Sequence, residues 1–411
     1  MQGAGEAERP LHRQREYMLL WGSQVVSNFG AHASGIIYPL LILALTGSPA
    51  QASWATALRI VPYLLLSLPV GALIDRWDRR RVMLACHVGR AAVVASLPVA
   101  MVAGVLTVQQ IYVVAVLEGV LMVFFNIAET AALPRVVPLV QLPQATAQNQ
   151  AGFAAASIAG PALGTWVYQA AGRAWPFVID VATHVASAWM IRSLRTSMAP
   201  SAVPRRDLRA EIAEGIRWLL RERLVRDMAV LTSVSNFISA AVPLLMIVRA
   251  QETGASEAQI GLAFSLGGIG GIVGALLGGH VKQRWPFGRV IVGIFVLQAL
   301  VFPLFGWAGS AFTLGLVYAA LVFFGPIYNV VQFSHRIARI PDALQGRVNS
   351  SFRLVAHGLN PVGAVVCGQL LERAGSGWAV AFFAVCSAAL AVAAAADRVV
   401  RTEGESAAGR P

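Results

Sequence analysis

Polar and apolar positions along this chain fall in long blocks rather than alternating singly. Twelve mainly apolar segments lie near residues 17–46, 52–74, 82–106, 109–133, 145–170, 174–194, 227–250, 257–281, 289–308, 311–334, 346–371 and 376–396. A helix needs about 20 apolar residues to cross a bilayer. The runs are continuous, not period-two, which argues against a β-barrel. The pattern therefore predicts an all-α integral membrane protein with twelve transmembrane helices. The longest polar stretch, residues 195–226, separates six spans from six, giving expected units 1–194 and 227–411 with a linker between them. Within the linker, Glu211, Ile212, Glu214, Ile216, Leu219 and Leu220 predict a short amphipathic helix on the membrane surface.

Composition supports this reading. The chain is 57% hydrophobic and 13% charged, with a mean hydropathy of +0.64; soluble domains average roughly 25% charged. The net charge of +12 would suggest nucleic acid in a soluble protein, but here its location matters more than its sum. Of the 32 Lys and Arg, only Arg173, Arg249 and Arg373 lie in odd-numbered loops, and Arg59, Arg90 and Arg353 lie within spans. The rest sit at the termini and in even-numbered loops. That asymmetry predicts cytoplasmic termini in a bacterial inner membrane, and no nucleic-acid partner. Residues 1–16 show no cleavable leader pattern. Cys86, Cys367 and Cys386 fall within spans and lack metal-ligand spacing. No phosphate-cradling loop, nucleophile–base pair or metal cluster is visible, so neither an enzyme nor a cofactor is expected.

The two halves resemble weak repeats. Pro138-Leu139 through Gly160-Pro161-Ala162-Leu163-Gly164 parallels Pro341-Asp342 through Asn360-Pro361-Val362-Gly363. Gly274-Ala275-Leu276-Leu277-Gly278-Gly279, followed by Lys282 and Arg284, echoes Gly71-Ala72-Leu73-Ile74-Asp75-Arg76-Trp77-Asp78-Arg79-Arg80-Arg81, without the aspartate.

That Gly71–Arg81 run resembles the loop signature between the second and third helices of the major facilitator superfamily. Trp21–Gly30, Pro39-Leu40, Leu45–Pro49 and Ala57–Pro62 are similar to its drug-exporter-like branch, which includes macrolide efflux proteins and the enterobactin exporter. The resemblance implies two pseudo-symmetric six-helix bundles, an alternating-access cycle, and a substrate site between the halves. It also implies an antiporter, since Gly160-Pro161-x-x-Gly164 is similar to a motif of exporters. Pro161 removes a helix hydrogen bond, and the glycines allow close helix approach; a packing kink without bearing on direction is the alternative. One departure stands out: where proton-coupled relatives often carry arginine, four residues before Gly119, this chain has Ala115.

Ionisable groups inside spans are costly and face the bundle interior. Glu118 and Arg59 lie at similar depth and predict a pair, with Glu118 as proton carrier and Arg59 tuning it; a static ion pair is the alternative. Asp180 and His184, one turn apart, are candidates for a shared titrating site, although packing of a peripheral sixth helix is favoured there. His32 is a further proton-coupling candidate. The resemblance implies a conformational latch of Gly71, Asp75, Arg76, Arg79 and Glu129, with Arg90 and Arg353 as further members. Asn28, His32, Phe125, Asn126, Asn236, Phe237, Tyr328, Asn329 and Gln332 are candidates for an apolar substrate cavity with scattered polar groups. Together these point to a monomeric, proton-coupled exporter of amphipathic drugs or a siderophore. An uptake symporter, a lipid flippase and a non-transporting sensor are the alternatives.

Overall fold

The computed structural model describes residues 10–199, 208–341 and 344–402. Pro200, Pro204, Arg205, Arg206, Asp207 and Asp342, of the linker and the repeat, lie outside them. The helices are α1 (Arg15–Gly35), α2 (Ile37–Thr46), α3 (Pro49–Ile74), α4 (Arg79–Val102), α5 (Val108–Val136), α6 (Leu142–Ala171), α7 (Trp175–Arg192), α8 (Leu208–Arg221) and α9 (Arg223–Glu252). They continue with α10 (Glu257–Arg284), α11 (Phe287–Val301), α12 (Ala311–Arg339), α13 (Gln345–Gly358), α14 (Asn360–Ala374), α15 (Ser376–Ala396) and α16 (Arg398–Thr402). No strand occurs among the described residues.

Among the described residues, nine helical segments are long and apolar enough to cross a membrane, counting α1 with α2, α11 with the 3-10 turn that follows it, and α13 with α14. With α3, α6 and α7 they make up the twelve segments expected. Two of those three are more polar: α6 opens on Gln144, Gln148, Asn149 and Gln150, and α7 carries Asp180 and His184. Helix starts follow local chemistry. Asp78 caps α4 by accepting from Arg81 N at 3.1 Å, and Thr107 caps α5 by accepting from Gln110 N at 3.2 Å. A capping box of Ser256 and Gln259 opens α10.

The chain divides into two compact units, Met1–Leu41 with Leu58–Arg205, and Ile42–Ala57 with Arg206–Pro411. In the first, α1 packs on α6 and α7, and α4 on α5 and α7. In the second, α9 packs on α14 and α15, and α11 on α12 and α15. Counted as spans, these are the same four pairings, which is the internal repeat expressed as packing. Loop glycines repeat too. Gly47 and Gly254 follow the first span of each half, and Gly172 and Gly375 follow the fifth. All four have positive φ, which side chains disfavour.

The fifth span of each half reaches the first through a glycine. A Cβ on Gly164 would stand 2.1 Å from Ala33 O, and one on Gly363 would stand 2.1 Å from Phe237 O. Gly160 similarly leaves room for His32. The Gly160-Pro161-x-x-Gly164 motif is thus the face on which α6 meets α1.

The linker carries one helix, α8, which packs against α13. A Cβ on Gly215 would lie 2.6 Å from Arg347 O, and Glu214 forms an ion pair with Arg347. In the second unit, Glu372 holds the start of α3, accepting from Ala50 N at 3.1 Å and from the Ser48 hydroxyl.

Candidate functional site

The densest buried polar group lies in the first unit. Gly119 brings α5 against α3, since a Cβ there would sit 2.4 Å from Arg59 O. This close approach places the expected pair in contact: Arg59 Nη2 donates to Glu118 Oε1 at 2.8 Å. Two further partners go beyond the sequence expectation. Arg90 Nη2 of α4 donates to the same oxygen at 2.9 Å, and the Tyr38 hydroxyl of α2 donates to Oε2 at 2.9 Å. The Arg59 guanidinium also stands 5.4 Å from the Tyr38 ring centroid. Glu118 is fully buried, so its charge persists only because both oxygens are engaged.

Arg90 is the main correction to the latch. Expected from sequence as a latch member, it is buried beside Glu118, because α4 turns this face toward α5 and α7. Glu129 is a second correction. Expected as a latch member, it is buried and accepts from Asn149 Nδ2 at 3.1 Å. Arg79 is buried with Nε and Nη1 lacking a hydrogen-bond partner among the described residues. Arg80 instead closes the C-terminus of α7, donating from Nε to Ile191 O at 3.2 Å and also to Arg192 O. Asp75, Arg76 and Arg353 are exposed, and Gly71 has open space where a side chain would be.

The sixth span is not peripheral at its polar positions. Asp180 and His184 are fully buried where α7 meets α1 and α4. Asp180 Oδ2 accepts from the Ser34 hydroxyl at 2.7 Å, and Oδ1 lies 3.4 Å from His184 Nε2. His184 Nδ1 lies 3.2 Å from His87 Nδ1, whose Nε2 lies 3.2 Å from Ser23 Oγ. His87 is absent from the sequence-based candidates, although a histidine three residues before Arg90 in an apolar span is an available signal.

Among the cavity candidates Phe125, Tyr328 and Gln332 are buried, and Phe237 is half-buried. Phe125 packs its ring 4.6 Å from that of His87. Phe237 meets the fully buried Phe383 at 5.5 Å between centroids. Tyr328 is buried, with its hydroxyl 2.6 Å from Thr232 Oγ1. Gln332 is buried as well. The aromatic side chains turn inward because large rings between apolar helices gain most from burial. Asn236 satisfies the backbone at the α13–α14 break, donating to Ala356 O at 2.8 Å. Asn126 and Asn329 are exposed, and Asn28 and His32 are half-buried, with His32 edge-on to Phe153 at 5.1 Å.

A transmembrane bundle with an internal six-helix repeat and ion pairs buried within a half is the architecture of a secondary transporter. The family model of the Major Facilitator Superfamily matches residues 20–364, and the chain belongs to that superfamily. It is therefore a membrane transporter rather than an enzyme. It is 26% identical over 379 residues to the multidrug efflux pump Tap of Mycolicibacterium fortuitum, covering 87% of this chain and 90% of that protein. It is 25% identical over 343 residues to the enterobactin exporter EntS of Escherichia coli O1:K1 / APEC, covering 82% and 80%. Among solved structures, the nucleoside transporter NupG superposes with a TM-score of 0.74 at 14% identity, covering 92% of this chain and 98% of that one. A bacterial homologue of the iron transporter ferroportin, in its inward-facing state, gives 0.73 at 14% identity, covering 94% and 99%.

Proposed function

We propose that this chain is a proton-coupled exporter of amphipathic small molecules, an antiporter of the bacterial inner membrane working by alternating access. Export is supported by the relatives: both the Tap pump and the enterobactin exporter are matched over most of their length and are named for efflux. Proton coupling is supported by one observation above all, the two carboxylates Glu118 and Asp180 buried completely in one half. Groups of this kind are expensive in a membrane interior and mark ion or proton pathways. The asymmetry of Arg and Lys supports cytoplasmic termini. Asp75 and Arg76, exposed in the loop between α3 and α4, take a conformational role in the cycle rather than a substrate-binding one.

Whole-cell accumulation tests this reading. Cells expressing the chain should retain less of a macrolide, dye or siderophore than cells without it, and a protonophore should erase the difference. Greater retention on expression would favour an uptake symporter instead.

A further inference from the structure

We propose that Asp180, not Glu118, binds the coupling proton, and that His184 and His87 pass it there from Ser23. The inference rests on the proton-coupled reading above and identifies the site within it.

The two buried carboxylates have different surroundings. Both oxygens of Glu118 are taken, one by two guanidiniums and the other by Tyr38. Protonating Glu118 would strand the buried Arg90 and the partly exposed Arg59 without their counter-charge, a costly outcome. Asp180 has a single hydrogen bond, from Ser34 to Oδ2, while Oδ1 is buried and unengaged. His184 Nε2 lies 3.4 Å from that free oxygen and also lacks a hydrogen bond. An unengaged carboxylate oxygen facing an unengaged imidazole nitrogen is a place for one hydrogen.

The surrounding elements contribute the rest of the electrostatic setting. From α1 come Ser23 and Ser34; from α2, Tyr38; from α3, Arg59; from α4, His87 and Arg90; from α5, Glu118. The remaining neighbour, α6, holds Tyr168 as its one titratable residue. Arg59 and Arg90 balance Glu118 and Asp180 when both carboxylates are ionised. A proton on Asp180 leaves one positive charge in excess. Arg59, with 20% of its side chain exposed, is the least buried of these four charged groups.

The imidazoles allow transfer without a charged intermediate. Neutral histidine has one N–H donor and one acceptor nitrogen. With Asp180 ionised, His184 Nε2–H points to Oδ1, His87 Nδ1–H donates to His184 Nδ1, and Ser23 Oγ–H donates to His87 Nε2. When a proton enters, each group hands its hydrogen forward. Ser23 gives its own to His87 Nε2, His87 gives Nδ1–H to His184 Nδ1, and His184 gives Nε2–H to Asp180. A proton delivered to Ser23, which is itself fully buried here, replaces the one Ser23 lost. Asp180 gains one hydrogen, and both histidines end neutral in the opposite tautomer. The route follows α1 from Ser23 to Ser34, eleven residues or about 16 Å of helix rise.

Infrared titration of the purified full-length chain in lipid nanodiscs tests the assignment without a known substrate. Acidification protonates the chain's other carboxylates as well, so the test is a difference: the wild type and Glu118→Gln should share a protonated-carboxyl band that is missing from Asp180→Asn. A band that persists in Asp180→Asn and disappears in Glu118→Gln overturns the proposal. Should Asp180→Asn not fold, His184→Gln decides: its band should shift with loss of the partner, and an unshifted band overturns the proposal. For the relay, His87→Gln in proteoliposomes should slow gradient-driven transport at least tenfold while substrate exchange without a gradient is unchanged. Equal slowing of both, or of neither, contradicts the relay. Absence of proton flux in the wild type would instead refute the proton-coupled reading, a result separable from the infrared outcome.

Discussion

Arg90 donates to Glu118 at 2.9 Å, joining α4 to α5 through two side chains that are both buried. Arg59 reaches the same oxygen from α3, so one carboxylate oxygen ties three helices, and the Tyr38 hydroxyl of α2 adds a fourth through the other oxygen. Removing one partner of a buried pair costs roughly 3–5 kcal/mol. Arg90→Leu is therefore expected to lower thermal stability in detergent sharply, and Arg59→Leu, partly exposed, to lower it less. Thermal unfolding followed by fluorescence checks the order.

Close helix approach in each half depends on a fifth-span glycine. Gly164→Ala would push a methyl group into Ala33 O, and Gly363→Ala would push one into Phe237 O. Overpacking of this kind costs about 1–3 kcal/mol. Comparable losses are expected from both variants, measured by the same unfolding assay, because the two sites are repeats of one contact.

Tyr328 is expected to behave as a core residue. Tyr328→Phe loses the hydrogen bond to Thr232, while Thr232 keeps its own bond to Met228 O at 2.6 Å. The cost should be about 1 kcal/mol. The spectrum of transported compounds should be unchanged, as growth inhibition across a compound panel would show.

The Glu214–Arg347 pair joins α8 to α13, with both side chains partly exposed. Pairs of this kind contribute about 0–1 kcal/mol. Glu214→Ala should leave stability nearly unchanged, whereas Gly215→Val, directed at Arg347 O, should reduce it clearly. Unfolding midpoints of the two variants separate packing from charge.

Asp75→Asn tests the conformational role proposed for the loop between α3 and α4. Asp75 is exposed, so the substitution should leave stability intact while slowing transport. Unchanged transport rates would remove that role.

The twelve segments are legible in the sequence because a bilayer demands long apolar runs, and the Arg59–Glu118 contact is legible because depth follows from counting residues along a helix. Facing is not legible. Hydropathy says how deep Arg90 or Phe125 lies, but not which neighbour it meets, and in apolar helices every face looks alike. Sequence pattern thus groups Arg90 with the loop rather than with Glu118, and puts Phe125 and Tyr328, both buried, in a cavity. His87 escapes notice because its partners, Ser23 and His184, are distant in sequence.

Proton flux in inside-out membrane vesicles tests the central claim most directly. With the vesicle interior acidified, addition of a macrolide, dye or siderophore should collapse the gradient, read by a pH-sensitive dye, only when the chain is present. A gradient untouched by every compound, while the chain raises radiolabelled uptake into whole cells, would contradict proton-coupled export.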